Sequence, residues 1–126
     1  MEKLLIINPG STSTKIAVFE DETPLFVESI PHTSEELAPF AHVIDQYEFR
    51  RELIIRTLQA HRVPLESLTA IVSRSGVLPP IHAGAYVIND DMIWQLKNKI
   101  LHEHSSNVGP MIAHSISEQY HIPAFI

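Results

Sequence analysis

Over the first thirty residues the apolar positions come in short runs separated by turn-forming residues. Leu4-Leu5-Ile6-Ile7 stops at Asn8-Pro9-Gly10, Ile16-Ala17-Val18-Phe19 stops at Asp21-Glu22-Thr23-Pro24, and Leu25-Phe26-Val27-Glu28-Ser29-Ile30 follows with near alternation. Apolar, β-branched and aromatic runs bounded in this way predict strands, so the chain is expected to open on a three-stranded antiparallel meander whose first two strands form a hairpin. From Ser34 to His61 the spacing changes to threes, fours and sevens through Phe40, Val43, Ile44, Tyr47, Ile54, Ile55 and Leu58. That period predicts one long helix or two consecutive ones, with the Arg50-Arg51 pair interrupting the apolar stripe once.

Pro64 to Leu68 reads as a short helical turn leading into Ala70-Ile71-Val72-Ser73, a buried strand. Because it is reached by a crossover, it is expected to run parallel to its neighbour. Ser75 to Gly84 is a loop containing Pro79-Pro80, Tyr86-Val87-Ile88 a brief strand, and Asn89 or Asp90 an N-cap for a helix carrying Met92, Ile93, Leu96 and Ile100. After Ser105-Ser106-Asn107 a second helix places Pro110 in its first turn and Ile112, Ile116 and Tyr120 at four-residue intervals. The chain closes on Ala124-Phe125-Ile126, apolar and with no turn residue behind it. An apolar strand left open there exposes an unpaired edge, which suggests a chain cut within a larger protein. The pattern is α/β: an antiparallel β-meander followed by βα units in a mixed sheet.

Composition narrows the function classes. An apolar fraction of 44% and a charged fraction of 19% over 126 residues describe one ordinary globular domain. A net charge of −6 with no basic run argues against nucleic acid and against an anionic membrane surface as partners. With no cysteine, thiol catalysis and thiolate metal sites are excluded, which suits a reducing cytoplasm. The first apolar run is too short for a signal peptide or a membrane span. The eight histidines are scattered without zinc-ligand spacing.

The candidate chemistry begins at Asn8-Pro9-Gly10-Ser11-Thr12-Ser13-Thr14-Lys15, the tip of the predicted hairpin. It offers backbone N–H groups, the hydroxyls of Ser11, Thr12 and Ser13, and the Lys15 cation at close range, and Gly10 lets the backbone approach a ligand. Phosphate oxygens need such donors. The segment is neither a Walker loop nor a dinucleotide fingerprint. Residue pattern alone leaves two readings open, a phosphate-binding hairpin and a polar turn with no ligand. Arg74, just past a predicted buried strand, stands at the sheet edge where ligands bind in open α/β folds, or is an ordinary surface arginine. His104 reads from its position as a solvated histidine at a helix end.

The run Leu5 to Lys15 resembles the N-terminal signature of the acetate and butyrate kinase family, with Pro9 and the Ser-Thr-Ser-Thr series most similar to its butyrate kinases. Two further stretches are similar to segments of the same family: Val72 to Tyr86 around Arg74, and Glu103 to Ala113 with its His-x-x-Asn-x-Gly order. The resemblance implies an actin-like, ribonuclease-H-like ATPase fold and the transfer of the γ-phosphoryl group of ATP to a short-chain carboxylate such as butyrate, in either direction. It implies Asn8, Ser11, Ser13 and Lys15 around the ATP phosphates and their Mg²⁺, Arg74 at the acyl substrate, and His104 neutralising charge on the phosphoryl group in flight. It also implies a homo-oligomer and a second domain holding the adenosine pocket, so that the 126-residue chain by itself is expected to be inactive. Ser73, Ser75 and Ala83 depart from glycines usual in the family; where such a position needs positive φ, a side chain costs about 1 kcal/mol or more. Two alternatives accompany this reading: a kinase of acetate, propionate or a branched acid, and a non-catalytic nucleotide-binding module of the actin kind, against which Asn8 and the Arg74 segment argue.

Overall fold

The computed structural model describes residues 2–73, 87–90, 92–94 and 108–126. Strands β1 (Lys3–Pro9), β2 (Ser13–Glu20) and β3 (Thr23–Pro31) form the expected meander, with β1 and β2 antiparallel and β2 and β3 antiparallel. Strand β4 (Ala70–Ser73) then pairs with β1 in parallel, and β5 (Ala124–Phe125) with β4 in parallel, giving the order β3-β2-β1-β4-β5. β1 is therefore the central strand, antiparallel to one neighbour and parallel to the other. The two parallel strands added to it end at the edge where β1 turns into the hairpin tip.

The helical stretch predicted over 34–61 divides into three pieces. Helix α1 (Ser34–Leu37) is a single turn begun by a reciprocal capping box, in which Thr33 Oγ1 accepts from Glu36 N–H and Glu36 Oε1 accepts from Thr33 N–H. A 3-10 turn, Val43–Gln46, leads directly into helix α2 (Tyr47–Ala60). Helix α3 (Val108–Tyr120) follows the expected register, with Pro110 in its first turn and Ile112 and Ile116 fully buried. Both α2 and α3 are left through a left-handed residue that is not glycine, Arg62 (φ 58°) and His121 (φ 57°). Each costs about 1 kcal/mol relative to a glycine C′.

The core lies between one face of the sheet and helices α2 and α3. Leu5 and Ile7 of β1, Ile16 and Val18 of β2 and Ile71 of β4 supply the sheet side. Ile54 and Leu58 of α2 and Val108, Ile112 and Ile116 of α3 meet them. Alternation along β1 puts Leu5, Ile7 and Pro9 on this face and Ile6 and Asn8 on the other. Arg50 does not interrupt the apolar stripe of α2: it lies on the buried face with Ile54 and Leu58 and is 0% exposed. Arg51, its neighbour, turns to the flank and bonds Gln119 of α3. Of the brief strand predicted at 86–88, Val87 makes one antiparallel bridge to Phe125. Asn89 is the N-cap expected there, its Oδ1 accepting from Met92 N–H at 2.9 Å. Among the described residues no helix is long and apolar enough to cross a membrane.

Candidate phosphate-binding site

The tip between β1 and β2 is shaped by a tight backbone turn and by one side chain from α2. Gly10 N–H donates to Ser13 C=O at 2.7 Å, closing the turn. Gly10 is not held at positive φ, and a Cβ on it would lie 3.2 Å from Ser13 Oγ, so its value is the close approach of the turn to Ser13. From the core side the Arg50 guanidinium donates through Nη1 to Gly10 C=O (2.7 Å), Ser13 C=O (3.0 Å) and Thr14 Oγ1 (3.3 Å), and through Nη2 to Ser11 C=O (3.3 Å). Gln46 Oε1 accepts from Nη2 (2.8 Å) and Nε (3.1 Å), fixing the plane of the guanidinium. Among the described residues no carboxylate pairs with Arg50. Burial pulls its pKa down to about 10, so it remains a cation at neutral pH.

A second buried group backs the same tip. Thr14, fully buried, shares a 2.7 Å hydrogen bond with His32 Nε2, and His32 N–H donates to Thr12 C=O at 2.8 Å. The His32 ring packs edge-on to Phe49, and its Nδ1 is buried without a hydrogen-bond partner. Desolvation first, and the Arg50 charge second, hold the His32 pKa below its ordinary value, which keeps the ring neutral. The tip is thus anchored from the core by Arg50 and His32, and its carbonyls at 10, 11, 12 and 13 are occupied.

Ser11 and Thr12 are exposed. Asn8 and Lys15 are register partners across β1 and β2, both exposed, and cross-strand partners point to the same face. That is the sheet face opposite α2 and α3. An amide, an ammonium and two exposed hydroxyl residues therefore surround one corner of the sheet, with Ser13 half-buried between them.

The N-terminus of α3 abuts this corner. A Cβ on Gly109 would run into Ser73 Oγ and would lie 3.2 Å from both Cδ and Cγ of Pro9, so only glycine lets the first turn of α3 sit against the ends of β1 and β4. Gly109, the glycine of the His-x-x-Asn-x-Gly segment, has its role in that approach. Ser73 is not at positive φ and closes β4 with its side chain buried, so the backbone cost considered for a serine at this position does not arise. Arg74, Ser75, Ala83 and His104 lie outside the described residues.

Sequence reasoning missed Arg50, Gln46 and His32. The available signal was the spacing Tyr47, Arg50, Ile54, Leu58, which puts an arginine on an apolar helical face with no acid at i±3 or i±4 on that face. Elsewhere, His114 Nε2 lies 3.1 Å from Asp90 Oδ1 and 3.6 Å from Glu118 Oε1, and both carboxylates are exposed.

The mixed five-stranded sheet in the order β3-β2-β1-β4-β5, with helices packed on it, is an α/β fold that solved structures share. No family model matches the sequence. YeaZ from Pseudomonas aeruginosa superposes with a TM-score of 0.56 at 10% identity, over 98% of this chain and 42% of its own. A propionate kinase from Francisella tularensis subsp. tularensis SCHU S4 gives 0.55 at 17% identity, over 99% of this chain and 36% of the kinase. Porphyromonas gingivalis acetate kinase gives 0.56 at 17% identity with the same coverage. At these identities the likeness establishes the fold. The chain spans well under half the length of each of these proteins.

Proposed function

We propose that this chain is the N-terminal part of an ATP-dependent carboxylate kinase of the acetokinase kind, and that its acid is butyrate. The observation that carries the reading is the hairpin tip: its carbonyls are bound from the core, while Ser11, Thr12, Asn8 and Lys15 face solvent at the edge where the parallel strands end. A cluster of outward donors with one cation and no carboxylate between residues 8 and 15 suits the oxygens of a polyphosphate. The fold shared with a propionate kinase and an acetate kinase supports the same reading.

Mg²⁺ fits this donor set in a limited way. Mg²⁺ retains water and takes few protein oxygens when phosphates supply the rest, and the segment offers the neutral Asn8 carboxamide oxygen. In our reading Asn8 would hold the ion, directly or through a water, and the ion when bound would supply positive charge to the phosphates. Gly10, Ser11, Thr12 and Ser13 bind the phosphates and Lys15 neutralises them. Arg74, the residue after Ser73, takes the substrate carboxylate, and His104 donates to the transferring phosphoryl group. The attacking carboxylate is already anionic, so no strong base is needed and catalysis is positioning with charge neutralisation.

The test is acid-dependent ATP consumption by the full-length protein, read as acyl hydroxamate with acetate, propionate, butyrate and isobutyrate in parallel. The expected result is acyl phosphate formation with butyrate preferred. Nucleotide binding with no turnover on any acid would favour a non-catalytic module. The 126-residue chain alone is expected to give no turnover.

A further inference from the structure

We propose that Arg50 is a positioning residue of the phosphate site, turning the Ser11 and Thr12 amides outward and placing a buried positive charge behind them. This rests on the reading of the hairpin tip as a phosphate loop. The argument starts from the peptide unit. In a trans peptide the C=O and the following N–H point in opposite directions, and the described chain has no cis peptide. Arg50 holds Gly10 C=O and Ser11 C=O toward the core. The N–H groups of Ser11 and Thr12 must then point away from it, on the side where both residues are exposed. Two successive amides aimed the same way form an anion-binding concavity.

The charge belongs to the same device. Removing a guanidinium from water is costly, and the usual compensation is a carboxylate. Among the described residues the compensation consists of three backbone carbonyls, the Thr14 hydroxyl and the Gln46 amide, all neutral. A neutral cage satisfies the donors and leaves the positive charge uncancelled. A bound anion one peptide layer away is the group that gains from it, in a medium that screens less than water. A lysine would not serve equally: its three donors lack the planar fork that reaches Gly10, Ser11, Ser13 and Gln46 together.

The test uses inorganic tripolyphosphate and Mg–ATP as probes, with calorimetry on the intact protein. The variants are Arg50→Lys and Arg50→Met, with Ile54→Val, on the same buried stripe one turn along α2, as a control for stability alone. Wild type is expected to bind both probes. Arg50→Met is expected to weaken both at least tenfold, Arg50→Lys by about threefold to tenfold, and Ile54→Val by less than twofold. Amide shifts of Ser11 and Thr12 are expected to move in the two Arg50 variants without ligand and to stay in place in the control. The proposal is overturned if Arg50→Lys, folded, binds both probes within twofold of wild type with those amides unmoved. If wild type binds neither probe, the phosphate-loop reading itself fails, and that outcome is distinct from a loss confined to the Arg50 variants.

Discussion

Replacing Gly109 by alanine adds one methyl group at the point where α3 meets the ends of β1 and β4. That methyl would overlap Ser73 Oγ and press at 3.2 Å on two carbons of the Pro9 ring. Ser73 Oγ can swing aside by changing rotamer, which breaks the contact it makes and costs about 1 kcal/mol. The Pro9 ring cannot rotate, so α3 has to back away, and inserting a methyl group into a filled interior costs about 1–3 kcal/mol. Against this, alanine is favoured over glycine in a helix by about 1 kcal/mol at most, and less near an end. The net expectation is a loss of about 1–3 kcal/mol, read as a lower urea midpoint at unchanged slope. A double-mutant cycle isolates the cause. Ser73→Ala removes the overlapped oxygen, so Gly109→Ala should cost at least about 0.5 kcal/mol less in that background. Equal costs in both backgrounds, or a stabilised Gly109→Ala protein, would refute the packing argument.

Three further outcomes are expected, two from the geometry and one from the proposed function. His32 is held neutral below its ordinary value of 6.5, so the unfolded chain takes up the proton first as pH falls. Stability should therefore be full above that value and decline as pH drops through it, and His32→Gln should flatten the decline measured by urea titration at pH 7 and pH 5.5. Lys15→Ala removes an exposed cation from the tip and should weaken Mg–ATP binding about tenfold with the unfolding free energy within about 0.5 kcal/mol of wild type; an unchanged Kd would remove Lys15 from the site. If the proposed carboxylate kinase reading holds, Arg74→Ala in the full-length protein should raise KM for the acid, and His104→Ala should lower kcat with nucleotide affinity retained, so unaltered steady-state kinetics in both would withdraw these two assignments.

Where packing is local and periodic, the sequence was sufficient. The meander, the parallel entry of β4 and the register of α3 follow from alternation, turn residues and the spacing of Ile112 and Ile116. The division of residues 34–61 did not follow, because apolar spacing carries no information on the 3-10 turn at Val43–Gln46 that re-aims the chain before α2. The exposed half of the candidate site, Asn8 to Lys15, is contiguous and so could be put forward from the sequence. Its buried half could not: Arg50 and His32 lie tens of residues away, and a charge on a helix is ordinarily solvent-facing. Only the three-dimensional placement of α2 shows that this guanidinium points inward at carbonyls.

The long reach of Arg50 also orders events in time. Its contact with Gly10 spans 40 residues of chain, whereas the hairpin that it completes closes over fewer than ten. A growing chain can pair β1 with β2 as soon as both are made, yet the amides of Ser11 and Thr12 have no fixed direction until α2 has been synthesised, wound and docked. Competence to hold the proposed anion thus arrives with tertiary structure, and late.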